Sequence, residues 1–237
     1  NKVSMVNKDE VEILVPTLNE EGNIKNTIRG LKENGFNNIT ILDGNSSDST
    51  MEFAKSMGCQ VRLESEKKYQ SFGGAIISAI NKSKFDYCAV FDGDGSFDPS
   101  SLNLMLKKIN QNYEFVFCSR YLGGNVSEDD TFLTKFGNIF FTNFVKIFFR
   151  IKTTDVLFLY FMTKTENLKS LNCKMFDFRI CIEILIHAYR NFNCTEVFSK
   201  EKKRIFGESK VNKFLDGFKI LTYLIMLRFS ISKNEKK

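Results

Sequence analysis

Tryptophan is absent from this chain of 237 residues, histidine occurs once and proline twice. The single histidine, His187, lies in the mostly apolar run from Ile182 to Ala188, where packing or a helix surface accounts for it, so a chemistry built on paired histidines is excluded. The six cysteines, Cys59, Cys88, Cys118, Cys173, Cys181 and Cys194, form no CxxC pair. They lack zinc-ligand spacing and read as small core residues of a reducing compartment. No GxxxxGK[ST] occurs anywhere, and the loop after the first strand-like run reads PTLNEEG rather than GxGxxG. Glycine-amide phosphate cradles and the dinucleotide fingerprint are thereby excluded. No arginine-rich arm or basic–aromatic stripe marks a nucleic-acid face, so nucleic acid is not an expected partner. No signal-peptide pattern opens the chain.

What is present is an ordinary globular balance of 43% apolar and 26% charged residues, with 25 phenylalanines and a net charge of +6. That excess favours anionic partners in general: phosphorylated small molecules or anionic lipid. Strand-like and helix-like patterns alternate through the first 120 residues. Val11 to Val15, Asn38 to Leu42, Gln60 to Leu63, Tyr87 to Phe91 and Glu114 to Cys118 read as strands. Between them Ile24, Ile28 and Leu31, then Phe53, Ala54 and Met57, then the run Gly73 to Asn81, recur at helical spacing. Asp98 is expected to cap a further helix, with Pro99 at its first position and Leu102, Met105 and Ile109 facing inward. Alternation with several wholly apolar strands implies an α/β fold, a mainly parallel sheet covered on both faces.

Ligands of such sheets collect beyond the carboxyl ends of the strands. Asp92-Gly93-Asp94-Gly95 stands at such an end. Two carboxylates two positions apart suit Mg²⁺ or Mn²⁺, which are held by one or two carboxylates plus substrate phosphates. The plain alternative is an Asp/Gly turn. The loops Pro16 to Glu21 and Asp43 to Asp48 should converge on the same crevice.

VPTLNEEGNI, LDGNSSDST, FDGDGSFDP, CSRYLGG, TKFGNIFF and RIFGESK follow one another in this order. Together they resemble the family 2 glycosyltransferases, and within them the dolichyl-phosphate mannose synthase and polyprenyl-phosphate glycosyltransferase branch, from about Val11 to Lys210. The resemblance implies a GT-A fold, Rossmann-like, with a mainly parallel mixed sheet. It implies an inverting, metal-dependent hexosyltransferase using Mg or Mn. Its donor would be a nucleoside-diphosphate sugar of the GDP-mannose or UDP-glucose type, and its acceptor polyprenyl or dolichyl phosphate. Pro16, Leu18, Glu20, Asp43, Asp92, Gly93 and Asp94 would form the nucleotide-sugar site, with Asp43 on the base and Asp92 and Asp94 on the metal. Arg120 and Lys135 would meet the acceptor phosphate. Arg204, Gly207, Ser209 and Lys210 would fold over the diphosphate, so that Asp94, Arg120, Arg204 and Lys210 carry the catalysis.

Two departures bear on the acceptor side. Where the family commonly reads DPxSGFR, this chain has Asp155-Val156-Leu157-Phe158-Leu159-Tyr160-Phe161, and Thr134-Lys135 stands where an arginine is expected. If the acceptor were a saccharide hydroxyl, Asp155 would be the first candidate for a base. A nucleotide-sugar-binding protein without turnover is the third reading. The Phe-rich helix 132–149, with Lys135, Asn138, Thr142 and Lys146 as its polar stripe, must be buried or lie in a membrane interface. Residues 1–212 are expected to form the transferase domain. Residues 213–237, an apolar segment with a lysine-containing tail, form either a membrane-associating anchor or a packing helix. The expected location is peripheral, at the cytoplasmic face of a membrane.

Overall fold

The computed structural model describes residues 5–125, 127–128, 131–204, 206–207 and 213–234. Seven strands make one sheet: β1 (Val11–Thr17), β2 (Ile39–Asp43), β3 (Gln60–Leu63), β4 (Tyr87–Val90), β5 (Phe115–Ser119), β6 (Phe161–Lys164) and β7 (Cys194–Phe198). Their order is β3-β2-β1-β4-β6-β5-β7. β1 pairs in parallel with β2 and β4, β2 with β3, and β5 with β7; β6 runs antiparallel to both β4 and β5. Six strands therefore point one way, and their carboxyl ends share one edge. Thr17, Asp43, Asp92, Arg120 and the residues after Phe198 all emerge there.

Side chains of a strand alternate between faces, and β1 shows it. Val11, Ile13 and Val15 join the apolar cluster under α1 (Ile24–Glu33) and α4 (Ser101–Ile109), while Leu14 joins the opposite one. α2 (Thr50–Ser56) completes the first layer. The opposite layer contains α3 (Phe72–Lys82), α5 (Phe132–Phe149), α6 (Thr165–Ser170), α7 (Ile180–Asn191) and α8 (Lys213–Asn234). Ile220 and Leu224 of α8 lie in that core.

α4 begins two residues later than the sequence implies. The Asp98 carboxylate does accept from the N–H of Ser100, two residues on, as a cap would, and from its hydroxyl. The first turn, however, is closed by the tighter i to i+3 bonds from Ser101 N–H to the Asp98 carbonyl and from Leu102 N–H to the Pro99 carbonyl. The polar stripe of α5 divides. Asn138 and Thr142 are buried, Lys135 and Lys146 are exposed, and Phe132 and Phe136 are 89% and 61% exposed. No helix among the described residues is long and apolar enough to cross a membrane.

Candidate active site

The β4 strand delivers Asp92, and the chain turns back over the end of β1. Gly93 makes that turn possible, because a Cβ there would lie 2.6 Å from Thr17 Cγ2 and 3.1 Å from the Pro16 carbonyl oxygen. Asp92 Oδ1 accepts from the Asp94 N–H at 3.1 Å. Asp94 Oδ1 accepts from the N–H and hydroxyl of Ser96 at 2.9 and 2.7 Å. Phe91 and Phe97, which flank the loop, pack edge-on at 5.5 Å, and both meet Tyr160. The apolar stretch after Asp155 is thus the floor under the acidic loop, and Leu157, Phe158 and Leu159 line the cavity above it.

Arg204 Nη2 donates to Asp94 Oδ2. Burial alone would lower its guanidinium, but Asp94 and Asp92 outweigh that and hold it above its usual value. Burial, and then the Asp94 charge, push the Asp92 carboxyl up to about 8, against the lowering pull of the Asp94 N–H and Arg204. Two acidic groups in one desolvated place, with a guanidinium drawn onto one of them, fit a divalent cation shared with a ligand's phosphates. Among the described residues there is no cluster of three or more metal-ligating side chains, so an all-protein cage is not what this site offers.

The segment carrying Arg204 is fastened to the acidic loop. Lys202 N–H donates to the Ser96 carbonyl at 2.8 Å, and Phe97 and Glu201 form an isolated bridge. Beyond it, Phe206 covers Gly22, and its carbonyl accepts from Asn23 Nδ2, which also donates to Glu20. Ser209 and Lys210 lie outside the described residues, and Gly207 is present at the end of the segment.

Arg120 sits at the carboxyl end of β5. Its Nε and Nη2 grip both oxygens of Asp155 at 2.7 and 2.9 Å, and Nη1 reaches Glu201 at 3.1 Å. Three of its five N–H groups are thereby used, leaving two, and Arg120 lines the cavity. Asp155 is buried with both oxygens engaged, and it is absent from the cavity wall, so the structure does not support it as a base. Asp43 is also turned inward. It accepts from the Ser46 N–H and hydroxyl and from Thr17, which leaves little of its carboxylate to meet a ring N–H. Leu18 is partly exposed beside Gly44, and Pro16 lines the cavity. Lys135 is exposed on α5 and is not among the residues that line the cavity.

One cavity of about 270 Å³ connects these groups. Asp92, Asp94, Arg120, Glu201 and Arg204 line it where the strands end; on α5 and α8 Leu133, Phe141 and Ile220 line it together with the polar Thr134, Asn138 and Asp216. Glu201 and Asn138 were missed as site residues by sequence reasoning. The first is hidden in a Lys/Arg-rich run and the second in a phenylalanine-rich helix, and only tertiary placement reveals either.

In comparisons with known proteins, an uncharacterised protein of Methanocaldococcus jannaschii is 27% identical over 95% of both chains. The UDP-N-acetylglucosamine–dolichyl-phosphate N-acetylglucosaminyltransferase of Methanococcus voltae is 24% identical over 92% of this chain and 96% of its own. Among solved structures, glucosyl-3-phosphoglycerate synthase of Mycobacterium tuberculosis, crystallised with Mn²⁺, UDP-glucose and phosphoglyceric acid, superposes with a TM-score of 0.71. It is 14% identical, and the match covers 92% of this chain and 79% of that one. The fold is GT-A. Residues 12–178 match the family described as Glycosyl transferase family 2; with the acidic loop at the carboxyl end of β4 and this sheet order, the chain belongs to glycosyltransferase family 2.

Proposed function

We propose that this glycosyltransferase moves a sugar from a nucleoside-diphosphate sugar to a polyprenyl or dolichyl phosphate at a membrane surface. The observation that carries the reading is the single cavity joining Asp92, Asp94 and Arg204 to apolar walls on α5 and α8. Those helices also expose phenylalanines beside it. The name of the Methanococcus voltae relative, which specifies a dolichyl-phosphate acceptor, supports the same class.

In the proposed reaction an acceptor phosphate oxygen attacks the anomeric carbon from the face opposite the diphosphate. The carbon–oxygen bond to the β-phosphate breaks, its electron pair stays on that phosphate oxygen, and the configuration inverts. A phosphate monoester with a second pKa of about 6 is already anionic near neutral pH, so no base is needed. That agrees with an Asp155 committed to Arg120. A Mg²⁺ or Mn²⁺ ion held by Asp92 and Asp94 would neutralise charge on the leaving diphosphate. Arg204 would leave Asp94 for the diphosphate oxygens, and the two N–H groups left on Arg120 would orient the acceptor phosphate. Pro16, Leu18 and Glu20 would shape the nucleotide side, with Lys210 as a further cation.

The test is transfer of radiolabelled sugar from a panel of UDP- and GDP-sugars into organic-extractable product with polyprenyl phosphate and Mg²⁺ or Mn²⁺. Label in the organic phase that is lost on chelation supports the proposal and names the donor. Transfer only to water-soluble saccharides overturns the acceptor class. Donor binding with neither transfer nor hydrolysis leaves the non-catalytic binding protein.

A further inference from the structure

Both helices that wall the apolar part of the cavity place a glycine on that wall, Gly137 on α5 and Gly217 on α8. Within a helix glycine is the least favourable residue except proline. It is usually retained where φ must be positive or where a neighbour leaves no room for a Cβ. Neither reason applies. Neither residue has positive φ, and a Cβ on either meets no heavy atom within 4 Å among the described residues. Both residues line the cavity, and a Cβ on either has open space to enter. Next to Gly137, Asn138 lines the same cavity, is 2% exposed, and its Oδ1 has no hydrogen-bond partner. A buried polar atom left unpaired is costly and is ordinarily satisfied by something that binds there.

We propose that Gly137 and Gly217 hold open a passage between α5 and α8 for the hydrocarbon chain of a lipid-phosphate acceptor, and that the Asn138 amide meets its polar head. This rests on the acceptor class proposed above and assigns its path. The walls are mainly apolar and favour a hydrocarbon along Leu133, Phe141, Leu157 and Ile220; Thr134 and Asp216 are polar groups on the same wall, and Asp216 pairs with Lys219. The charged groups deep in the cavity select the opposite end, because Asp94 and Arg204 mark where the phosphate has to arrive. The outer surfaces of both helices expose phenylalanines, Phe136 and Phe218 among them, with Lys135 and Lys146 interspersed on α5, so a chain leaving the passage meets a surface compatible with lipid. The amide supplies an N–H₂ to a phosphate oxygen, and because its two ends are interchangeable by rotation, either can face the head.

The test uses the full chain with Gly137→Ala, Gly137→Leu, Gly217→Leu and Asn138→Ala. Calorimetry measures binding of farnesyl phosphate and, separately, of UDP and GDP; transfer is measured to a long polyprenyl phosphate and to a short-chain water-soluble one. Gly137→Ala is expected to raise Tm by restoring helix propensity while raising KM for the long acceptor. The two leucine variants should lose at least about a hundred-fold in kcat/KM for the long acceptor, and much less for the short one, with nucleotide affinity kept. Asn138→Ala should weaken farnesyl phosphate binding and raise KM for both acceptors, a loss that a role in packing alone would show in Tm instead. Folded leucine variants that bind farnesyl phosphate and use the long acceptor as the wild type does would overturn the passage. A wild type that transfers to no lipid phosphate, yet binds farnesyl phosphate in a way the leucine variants lose, overturns the proposed reaction and keeps the passage. A wild type that binds none overturns the passage itself.

Discussion

Asp92 carries the clearest pH signature among the site residues. Its carboxyl is raised from 3.8 to about 8 by desolvation and by Asp94. Between those values the folded protein holds a proton that the unfolded chain has released, so this group's contribution to stability falls as pH rises through the window and is flat above it. Cation binding needs the ionised form and therefore runs the other way. Calorimetric titration with Mn²⁺ should show affinity increasing from pH 6.5 to 8.5 and levelling beyond, and Asp92→Asn should abolish the slope. A flat wild-type profile would mean that Asp92 is not a ligand. Arg204 separates binding from catalysis at the same place, because it presently occupies Asp94. Arg204→Ala should bind Mn²⁺ more tightly without donor, yet transfer more slowly by about 10² to 10³, the usual loss on deleting one group that stabilises developing charge. Equal metal affinity in the two proteins would show that the ion pair does not compete with the cation.

Among elements, α3 shows how a close approach overrides propensity. Ala is normally better than Gly inside a helix by about 1 kcal/mol. At Gly73, however, a Cβ would lie 2.4 Å from the Met175 carbonyl oxygen and 2.8 Å from that of Asp177. The N–H groups of Gly73 and Gly74 both donate to the Phe176 carbonyl, so the helix start is fastened to the segment before α7. Gly73→Ala should therefore destabilise by about 1–3 kcal/mol, the usual cost of overpacking, read as a lower urea midpoint at unchanged slope. A raised midpoint would mean that the segment gives way freely. Strands β1, β2, β4 and β5 were legible because each is a short, largely apolar run between turn residues, and β3 because Gln60–Leu63 alternates polar and apolar residues. β6 was not, since Phe161–Lys164 continues an apolar stretch with no period of its own, and β7 was not, since Cys194–Phe198 mixes Thr and Glu with half-buried positions. Asp92, Asp94 and Arg204 could be found as motif residues and do meet. Their supports, Glu201 on Arg120 and Tyr160 beneath Phe91 and Phe97, depend on chain segments brought together only by the sheet order.

At the scale of the molecule the decisive feature is where the apolar surface lies. Phe132, Phe136, Ile147 and Phe148 of α5 and Phe218, Met226 and Phe229 of α8 are exposed, on helices that pack together beside the cavity mouth. Scattered exposed apolar residues need no explanation, but this many on two helices in contact suit an interaction surface. The chain's net charge of +6 adds attraction to anionic lipid. Co-sedimentation with phosphatidylglycerol-containing vesicles should therefore retain the protein. If each ring contributes about 1 kcal/mol on insertion, a fraction of the 1.5–3 for full burial, then Phe132→Ser, Phe136→Ser and Phe218→Ser together should cut partitioning about a hundred-fold. Raising salt should weaken the attraction of exposed charges, screened within about 10 Å at 0.1 M, while the contribution of the rings persists. Protein that ignores vesicles but sediments as a dimer, and becomes monomeric with the same three substitutions, would assign this face to a second copy of the chain instead. In that case the lipid would have to reach the cavity past a subunit boundary, and activity would rise with protein concentration; a membrane-seated monomer would show specific activity independent of it.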